Sequence, residues 1–184
     1  MSHSFHWGII GLGKIAHKFA QDLALLPQAR LHAVASRSME KAKTFASEYG
    51  ASNTFGSYEE LLSCAGLDAV YIATPHSLHA EIRLMCLEAR LPVLCEKPLA
   101  LNGEQVEHML QKAREEETFL MEALWTRFHP STRKMLELIE QGAIGELLSV
   151  KADFGFRAEF DPRSRLFDPT LGGGALLDIG IYPV

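Results

Sequence analysis

The first 122 residues alternate short apolar runs with longer segments in which apolar residues recur at helical spacing. The apolar runs predict β-strands, and the longer segments predict helices. The predicted strands span residues 5–10, 30–36, 53–55, 68–73, 92–96 and 118–122, and the predicted helices span 14–26, 39–49, 58–63, 77–90 and 102–117. Apolar strands that alternate with helices are typical of a parallel sheet covered on both faces. Residues 1–122 are therefore predicted to form a complete α/β domain with a doubly wound parallel sheet.

The remaining residues, 123–184, follow a different pattern. An amphipathic helix is predicted over 129–141, and the alternation of apolar and polar residues from Leu147 to Phe156 predicts a strand with one buried face. Such a strand is typical of a mixed or antiparallel sheet. Because one strand cannot form a sheet by itself, we expect residues 123–184 to be the incomplete beginning of a second α/β domain with a mainly antiparallel sheet.

The composition is that of an ordinary globular protein, with 47% hydrophobic and 22% charged residues among 184. The net charge of -5 argues against general nucleic-acid binding, and no apolar run approaches the roughly 20 residues that span a bilayer. The amino terminus lacks the segments of a secretion signal. Cys64, Cys86 and Cys95 have no metal-site spacing, which favours reduced thiols in a cytoplasmic protein without a bound metal.

The first predicted strand runs into the glycine-rich turn Gly11-Leu12-Gly13, followed by Ile15 and Ala16 at the start of a helix. The pattern G-x-G-x-x-A is that of a dinucleotide-binding turn, in which the second glycine lets a pyrophosphate approach the backbone. The helix N-terminus then faces the phosphates. The pattern alone is weak, and an ordinary glycine turn is the alternative.

The second predicted strand ends at Ser36 and Arg37, about 20 residues beyond the glycines, where the adenosine ribose of a dinucleotide is expected. NAD-binding sites often have an acidic residue there, and this sequence has none. A hydroxyl and a guanidinium can both bind a 2′-phosphate. The sequence therefore predicts NADP, with NAD less favoured; a solvated surface arginine is the alternative.

The fourth predicted strand ends at Ala73, Thr74 and Pro75, and His79 follows in the first turn of the next helix. Ligands of open parallel sheets lie outside the carboxyl ends of the strands, so this turn is a candidate for contact with a nicotinamide riboside. Ordinary turn chemistry with an exposed histidine is the alternative.

The fifth predicted strand ends at Glu96-Lys97-Pro98, at the same edge of the sheet. A lysine ammonium there can donate to a substrate oxygen or lower the pKa of a neighbouring acid. A solvated lysine is the alternative.

These motifs occur in the order found in the Gfo/Idh/MocA oxidoreductase family, and the chain resembles that family over essentially its whole length. The carboxyl-terminal motif is Gly172-Gly173-Gly174-x-x-x-Asp178-x-Gly180-x-Tyr182. The tyrosine in that motif, the segment 122–128 and the segment 35–38 resemble the branch of trans-1,2-dihydrodiol dehydrogenases and NADP-dependent D-xylose 1-dehydrogenases.

The resemblance implies a Rossmann domain over 1–122, the start of a substrate and dimerisation domain over 123–184, and NAD(P)-dependent oxidation of sugars, polyols or diols. It implies that Lys97 and Tyr182 are the catalytic pair and that Asp178 orients the site or binds substrate. Trp125 and Arg127 follow the sixth predicted strand and are expected at the cofactor edge. Packing roles are the alternatives for the aromatic residues, and a helix-terminal carboxylate is the alternative for Asp178.

Family members are much longer than this chain by that resemblance, so most of the second domain is expected to be absent. The full-length form is expected to be a homodimer or higher homo-oligomer, without nucleic-acid or membrane partners. Two functions remain open: an NADP-dependent dehydrogenase, and a catalytically weak NADP-binding or regulatory protein.

Overall fold

Six parallel strands form one sheet in the first part of the protein. The computed structural model describes residues 4–183, and the chain divides between Glu122 and Ala123 into two compact units. The strands of the first unit are β1 Phe5–Ile10, β2 Ala29–Ala35, β3 Asn53–Phe55, β4 Ala69–Ile72, β5 Val93–Cys95 and β6 Leu120–Glu122. Its helices are α1 Lys14–Leu23, α2 Met39–Tyr49, α3 Tyr58–Leu62, α4 His79–Glu88 and α5 Gly103–Glu115. The predicted doubly wound parallel sheet is confirmed.

The strand order, β3-β2-β1-β4-β5-β6, reverses direction between β1 and β4. The hydrogen-bond ladder continues past the strand ends, because the N–H of Gly11 donates to Ala35 at 3.2 Å and the N–H of Ala73 donates to Ile10 at 2.8 Å. The N–H of Glu96 likewise donates to a β4 carbonyl, that of Ile72, at 2.9 Å. The loops after β1, β2, β4 and β5 therefore meet at one edge of the sheet, next to the reversal point where such sheets bind ligands.

Apolar side chains explain why β1 and β4 lie at the centre of the sheet. Ile9, Ile10, Val70 and Ile72 are all 0% exposed, which fits strands that are covered on both faces. Small residues on α1 allow the helix to approach the sheet closely, since Ala16 is also 0% exposed. This close packing holds the start of α1 next to the turn that follows β1.

The second unit contains two α-helices within its described residues, α6 Pro130–Glu140 and α7 Ala175–Asp178. The predicted helix is therefore present, but the predicted strand from Leu147 to Phe156 is wrong, because that segment has no regular secondary structure. Leu148 is 85% exposed there. A strand requires a neighbour whose backbone groups complete its hydrogen bonds, and no other strand is assigned between residues 123 and 183.

No helix among residues 4–183 is both long and apolar enough to cross a membrane. Within the same residues, no group of three histidine, cysteine or acidic side chains converges to hold a metal ion. Cys64, Cys86 and Cys95 are free thiols.

Candidate active site

Gly11 is required by the close approach of the turns after β1 and β4. Its φ is +87°, and a Cβ at this position would lie 2.8 Å from the carbonyl carbon of Ala73 and 2.8 Å from the nitrogen of Thr74. Both the backbone conformation and the lack of space exclude a side chain. The two turns at the reversal point of the sheet are therefore held together at the expected cofactor edge.

Gly13 has a different environment. Its backbone is extended, with φ −89° and ψ −173°, and a Cβ there would meet only the carbonyl oxygen of Ala73, at 4.0 Å. The space above this glycine is open, so a bulky group can approach the backbone. Leu12 and Ala16 pack inward on either side, whereas Ile15 is 36% exposed.

The N-termini of α1 and α4 lack the side-chain cap that the other three helices of this unit have. Ser38, Ser57 and Asn102 accept backbone hydrogen bonds at the starts of α2, α3 and α5. At the start of α1, Gly13 supplies no such bond, and the first turn contains no acidic residue. The first-turn N–H groups, which no side chain caps, and the helix dipole favour an anion there, so this turn fits the pyrophosphate of a dinucleotide.

Thr74 adds an unsatisfied polar atom to the same edge. The residue is 7% exposed, and its buried Oγ1 has no hydrogen-bond partner among the described residues. A buried hydroxyl without a partner is costly, so this atom fits a site that a ligand completes. Ala73 and Pro75 flank it, with Ala73 9% exposed.

Ser36 and Arg37 lie where β2 ends. The Oγ of Ser36 accepts a hydrogen bond from the N–H of Ser38 at 3.2 Å, which leaves its hydroxyl hydrogen to donate. Arg37 is exposed and interacts with the hydroxyl of Tyr58 at the start of α3. Burial raises the pKa of Tyr58, and the nearby guanidinium opposes that shift. The guanidinium is thus positioned beside the carboxyl ends of β2 and β3.

Glu96 and Lys97 follow β5 directly. The hydroxyl of Tyr71 donates a hydrogen bond to Oε1 of Glu96 at 2.5 Å. Burial is the main cause that raises the pKa of Tyr71, and the charge of Glu96 raises it further, so the phenol remains a donor. Lys97 is half-buried, and its peptide bond to Pro98 is cis. The sequence did not indicate Tyr71, because it lies within an apolar strand.

His79 is buried rather than exposed, so the alternative of a surface histidine is wrong. Its ring is 0% exposed, with Nδ1 2.9 Å from the carbonyl oxygen of Pro98 and Nε2 3.0 Å from that of Thr74. Burial lowers the pKa of this histidine to about 4, which keeps the ring neutral near pH 7. A neutral ring carries one N–H and can donate to only one of these two carbonyl oxygens, which belong to the turns after β4 and β5.

The second unit places the other predicted residues in two small groups. Asp178 is 5% exposed, and its Oδ1 accepts a hydrogen bond from Nη1 of Arg165 at 3.0 Å. The ring of Tyr182 lies edge-on to that of Phe154, with centroids 5.1 Å apart. The sequence did not indicate Arg165, because it lies in an irregular segment.

The glycines of this motif have packing reasons of their own. A Cβ at Gly173 would lie 2.7 Å from the carbonyl oxygen of Asp168, and one at Gly180 would lie 2.5 Å from that of Leu176. A side chain at either glycine would therefore collide with the backbone next to α7, the helix that ends at Asp178.

Trp125 and Arg127 belong to a short 3₁₀ turn, Trp125–Phe128, at the start of the second unit. Trp125 is 52% exposed, and its ring centroid lies 5.8 Å from that of His129. Their expected contact with a cofactor stays a prediction.

Comparison with known families matches both units. Residues 5–124 match the Gfo/Idh/MocA model described as an oxidoreductase family with an NAD-binding Rossmann fold. Residues 132–184 match the Gfo/Idh/MocA C-terminal domain. The first match alone covers more than half of the chain.

Individual relatives agree with the family matches. Trans-1,2-dihydrobenzene-1,2-diol dehydrogenase of Danio rerio is 44% identical over 181 residues, which cover 97% of this chain and 54% of the relative. The chain thus spans about half the length of the curated relatives it matches.

Solved structures show the same fold. Scyllo-inositol dehydrogenase from Lactobacillus casei superposes with a TM-score of 0.74 and 28% identity, over 79% of this chain and 44% of that protein. KijD10, a 3-ketoreductase from Actinomadura kijaniata in complex with TDP-benzene and NADP, has a TM-score of 0.73 and 34% identity. That match covers 78% of this chain and 46% of KijD10.

Substitution of the two glycines should lower stability to very different extents. Gly11→Ala should lower the free energy of unfolding by about 2 kcal/mol or more, since it adds left-handed strain to a backbone collision. Gly13→Ala, its matched control, should change stability by less than about 0.5 kcal/mol, since its Cβ enters open space. Urea denaturation checks both values, and equal losses would contradict the geometry.

Acid should remove the stability that the neutral, buried His79 provides. Its pKa rises from about 4 to near 6.5 on unfolding, so the contribution is complete above pH 6.5 and falls as pH drops toward 4. The total is on the order of 3 kcal/mol. The stability difference between wild type and His79→Gln, measured by urea denaturation, should shrink across this range. Exposed His129→Gln is the control, and a pH-independent difference for His79→Gln would refute the prediction.

Proposed function

Because this chain belongs to the Gfo/Idh/MocA oxidoreductase family, we propose that its protein is an NADP-dependent dehydrogenase of sugars, polyols or trans-dihydrodiols. The observation that carries the proposal is the open, uncapped glycine turn beside the unsatisfied hydroxyl of Thr74. Residues 1–122 form the NAD(P)-binding domain in this proposal, and residues 123–184 contribute to the substrate domain.

The preference for NADP rests on the end of β2. Ser36 can donate a hydrogen bond, and the guanidinium of Arg37 can pair with a 2′-phosphate. An acidic side chain, which would repel that phosphate, is absent from residues 35–38. The relative KijD10 was solved in complex with NADP, which is consistent with this choice. The bound nicotinamide would supply the acceptor or donor of hydride.

In the same proposal, side chains of both units carry out the proton transfer. In the oxidation direction, the Tyr182 phenolate accepts the proton of the substrate alcohol. In the reduction direction, the Tyr182 phenol returns that proton to the substrate. The Lys97 ammonium donates a hydrogen bond to the substrate oxygen in this proposal. Asp178, whose carboxylate is held by Arg165, orients the substrate hydroxyls. Similarity to dihydrobenzenediol dehydrogenases supports substrates with adjacent oxygen atoms.

In this proposal the loops at the strand ends bind the cofactor. The backbone of Gly11, Leu12, Gly13 and Ile15 binds the pyrophosphate, and the turn at Ala73–Pro75 lies along the nicotinamide riboside. Glu96, fixed by Tyr71, binds the same part of the cofactor. Trp125 and Arg127 complete the cofactor edge. The complete protein is a cytoplasmic homo-oligomer, and its free thiols suit a reducing compartment.

Removal of the Arg37 guanidinium should reduce the preference for NADP over NAD. Arg37→Ala should lower the ratio of the two affinities by about tenfold or more, the value of a charge-assisted hydrogen bond. Titration of each dinucleotide by protein fluorescence measures the ratio. Arg30→Ala is the matched control, because Arg30 is an exposed arginine at the opposite end of β2. An unchanged ratio in Arg37→Ala would show that the guanidinium does not meet the 2′-phosphate.

Loss of either catalytic group should abolish turnover without loss of cofactor binding. Lys97→Met and Tyr182→Phe should each lower kcat by about 10²- to 10⁴-fold, the usual contribution of acid–base catalysis. Turnover is followed as NADPH absorbance, with aldoses, polyols and dihydrodiols, in the complete natural protein that carries this sequence. Lys43→Met and Tyr49→Phe are matched controls on α2.

The two outcomes of that assay separate an enzyme from a binding protein. If wild-type protein binds NADP but oxidises no member of the panel, the protein is a cofactor-binding protein and the proposed function fails. If the panel is oxidised equally well by the Lys97 and Tyr182 variants, the assignment of the catalytic pair fails.

A further inference from the structure

Arg83 is a buried cation whose assigned acceptors are not carboxylates. It lies on α4 and is 0% exposed. Nη2 donates to the carbonyl oxygen of Glu96 at 3.0 Å, and Nη1 donates to the carbonyl oxygen of Leu99 and lies 3.9 Å from Sδ of Met109. A charge in such a position is costly unless several dipoles compensate it. Two of the groups that compensate it, the carbonyl groups of Glu96 and Leu99, lie on either side of Lys97, and the guanidinium also contacts the side chain of Cys95.

His79 lies four residues earlier on α4, so the two side chains share one face of the helix. Its Nδ1 is 2.9 Å from the carbonyl oxygen of Pro98. Helix α4 therefore contacts the carbonyl oxygens of Glu96, Pro98 and Leu99 through two side chains. Arg83 donates to two carbonyl oxygens of the segment that carries Lys97, and a ring nitrogen of His79 lies within hydrogen-bond distance of a third.

We propose that Arg83, supported by His79, is a positioning residue that fixes the backbone on both sides of Lys97. The inference rests on the catalytic role of Lys97 in the proposed function. A guanidinium suits this task because its N–H groups form a rigid fork, which can bind two carbonyl oxygens in one geometry. A lysine at the same place has a single ammonium group and cannot reproduce both contacts with the same angles.

A purely structural arginine would have different consequences. Its loss would lower global stability, and the remaining folded molecules would keep the wild-type kcat and the wild-type protection of the Lys97 segment. Loss of a positioning residue instead loosens residues 96–101 within the folded protein. It lowers kcat more than it changes KM or the affinity for cofactor, because misplacement of a catalytic group acts on the chemical step.

The experiment compares wild type with Arg83→Met, Arg83→Lys and the control Arg114→Met, which changes an exposed arginine on α5. Hydrogen–deuterium exchange is measured first on this chain without cofactor or substrate. In Arg83→Met, amides of residues 96–101 should exchange about tenfold faster or more, while those of β1 and β2 stay as in wild type. Arg83→Lys should fall between the two, and Arg114→Met should match wild type.

Steady-state kinetics then use the complete natural protein that carries this sequence. Arg83→Met should lower kcat by about tenfold to a hundredfold, with the NADP dissociation constant and substrate KM nearly unchanged. If exchange at 96–101 and kcat both match wild type in a folded Arg83→Met protein, the proposal is overturned. It is also overturned if only global stability falls.

Two further readouts keep the test decisive. If Arg83→Met does not fold, hydrogen–deuterium exchange of the wild-type protein tests the proposal. Backbone amides of residues 96–101 that exchange as fast as those of the exposed turn at 142–145 would show that the segment is not held in place. A wild-type protein without turnover would refute the proposed function, and faster exchange at 96–101 in Arg83→Met would still establish the backbone contact. The two failures are therefore distinguishable.

Discussion

The absence of a side chain at Gly11 is the constraint on which the rest of the site depends. A Cβ at this position would lie only 2.8 Å from backbone atoms of the turn after β4. The two turns pack closely at the reversal point of the sheet, while the space beside Gly13 is open. Helix α1 can then begin without a side-chain cap, so its amide groups face the edge where the strand-end loops meet.

The arrangement behind that edge combines apolar strands with a few buried polar side chains. The strands bring the loops together, but their carbonyl and carboxylate groups still need partners. Tyr71 supplies one from β4, and its ring stacks on Phe19 of α1 with centroids 3.9 Å apart. His79 and Arg83 supply others from α4. A purely apolar interior could have placed these loops at one edge, but it could not have fixed the directions of their peptide groups.

Most of the first unit could be predicted from the sequence, because several of its strands are near-continuous apolar runs that alternate with helices. The bounds agree within a few residues; α1, for example, ends at Leu23 rather than at residue 26. The strand over 147–156 could not be judged in the same way, because alternation identifies the face that a strand would bury but not its partner. Tyr71, Arg83 and Arg165 were missed because their importance comes from contacts with residues distant in sequence, which periodicity does not reveal.

The carbonyl contacts of α4 have a consequence for the opposite side of the loop after β5. In a planar trans peptide group, the C=O and the N–H point in opposite directions. The carbonyls of Glu96, Pro98 and Leu99 turn toward α4, so the amide hydrogens of Lys97, Leu99 and Ala100 turn away from it. Helix α4 thereby gives this short loop two chemically distinct sides, with oxygen atoms toward the interior and hydrogen-bond donors on the other side.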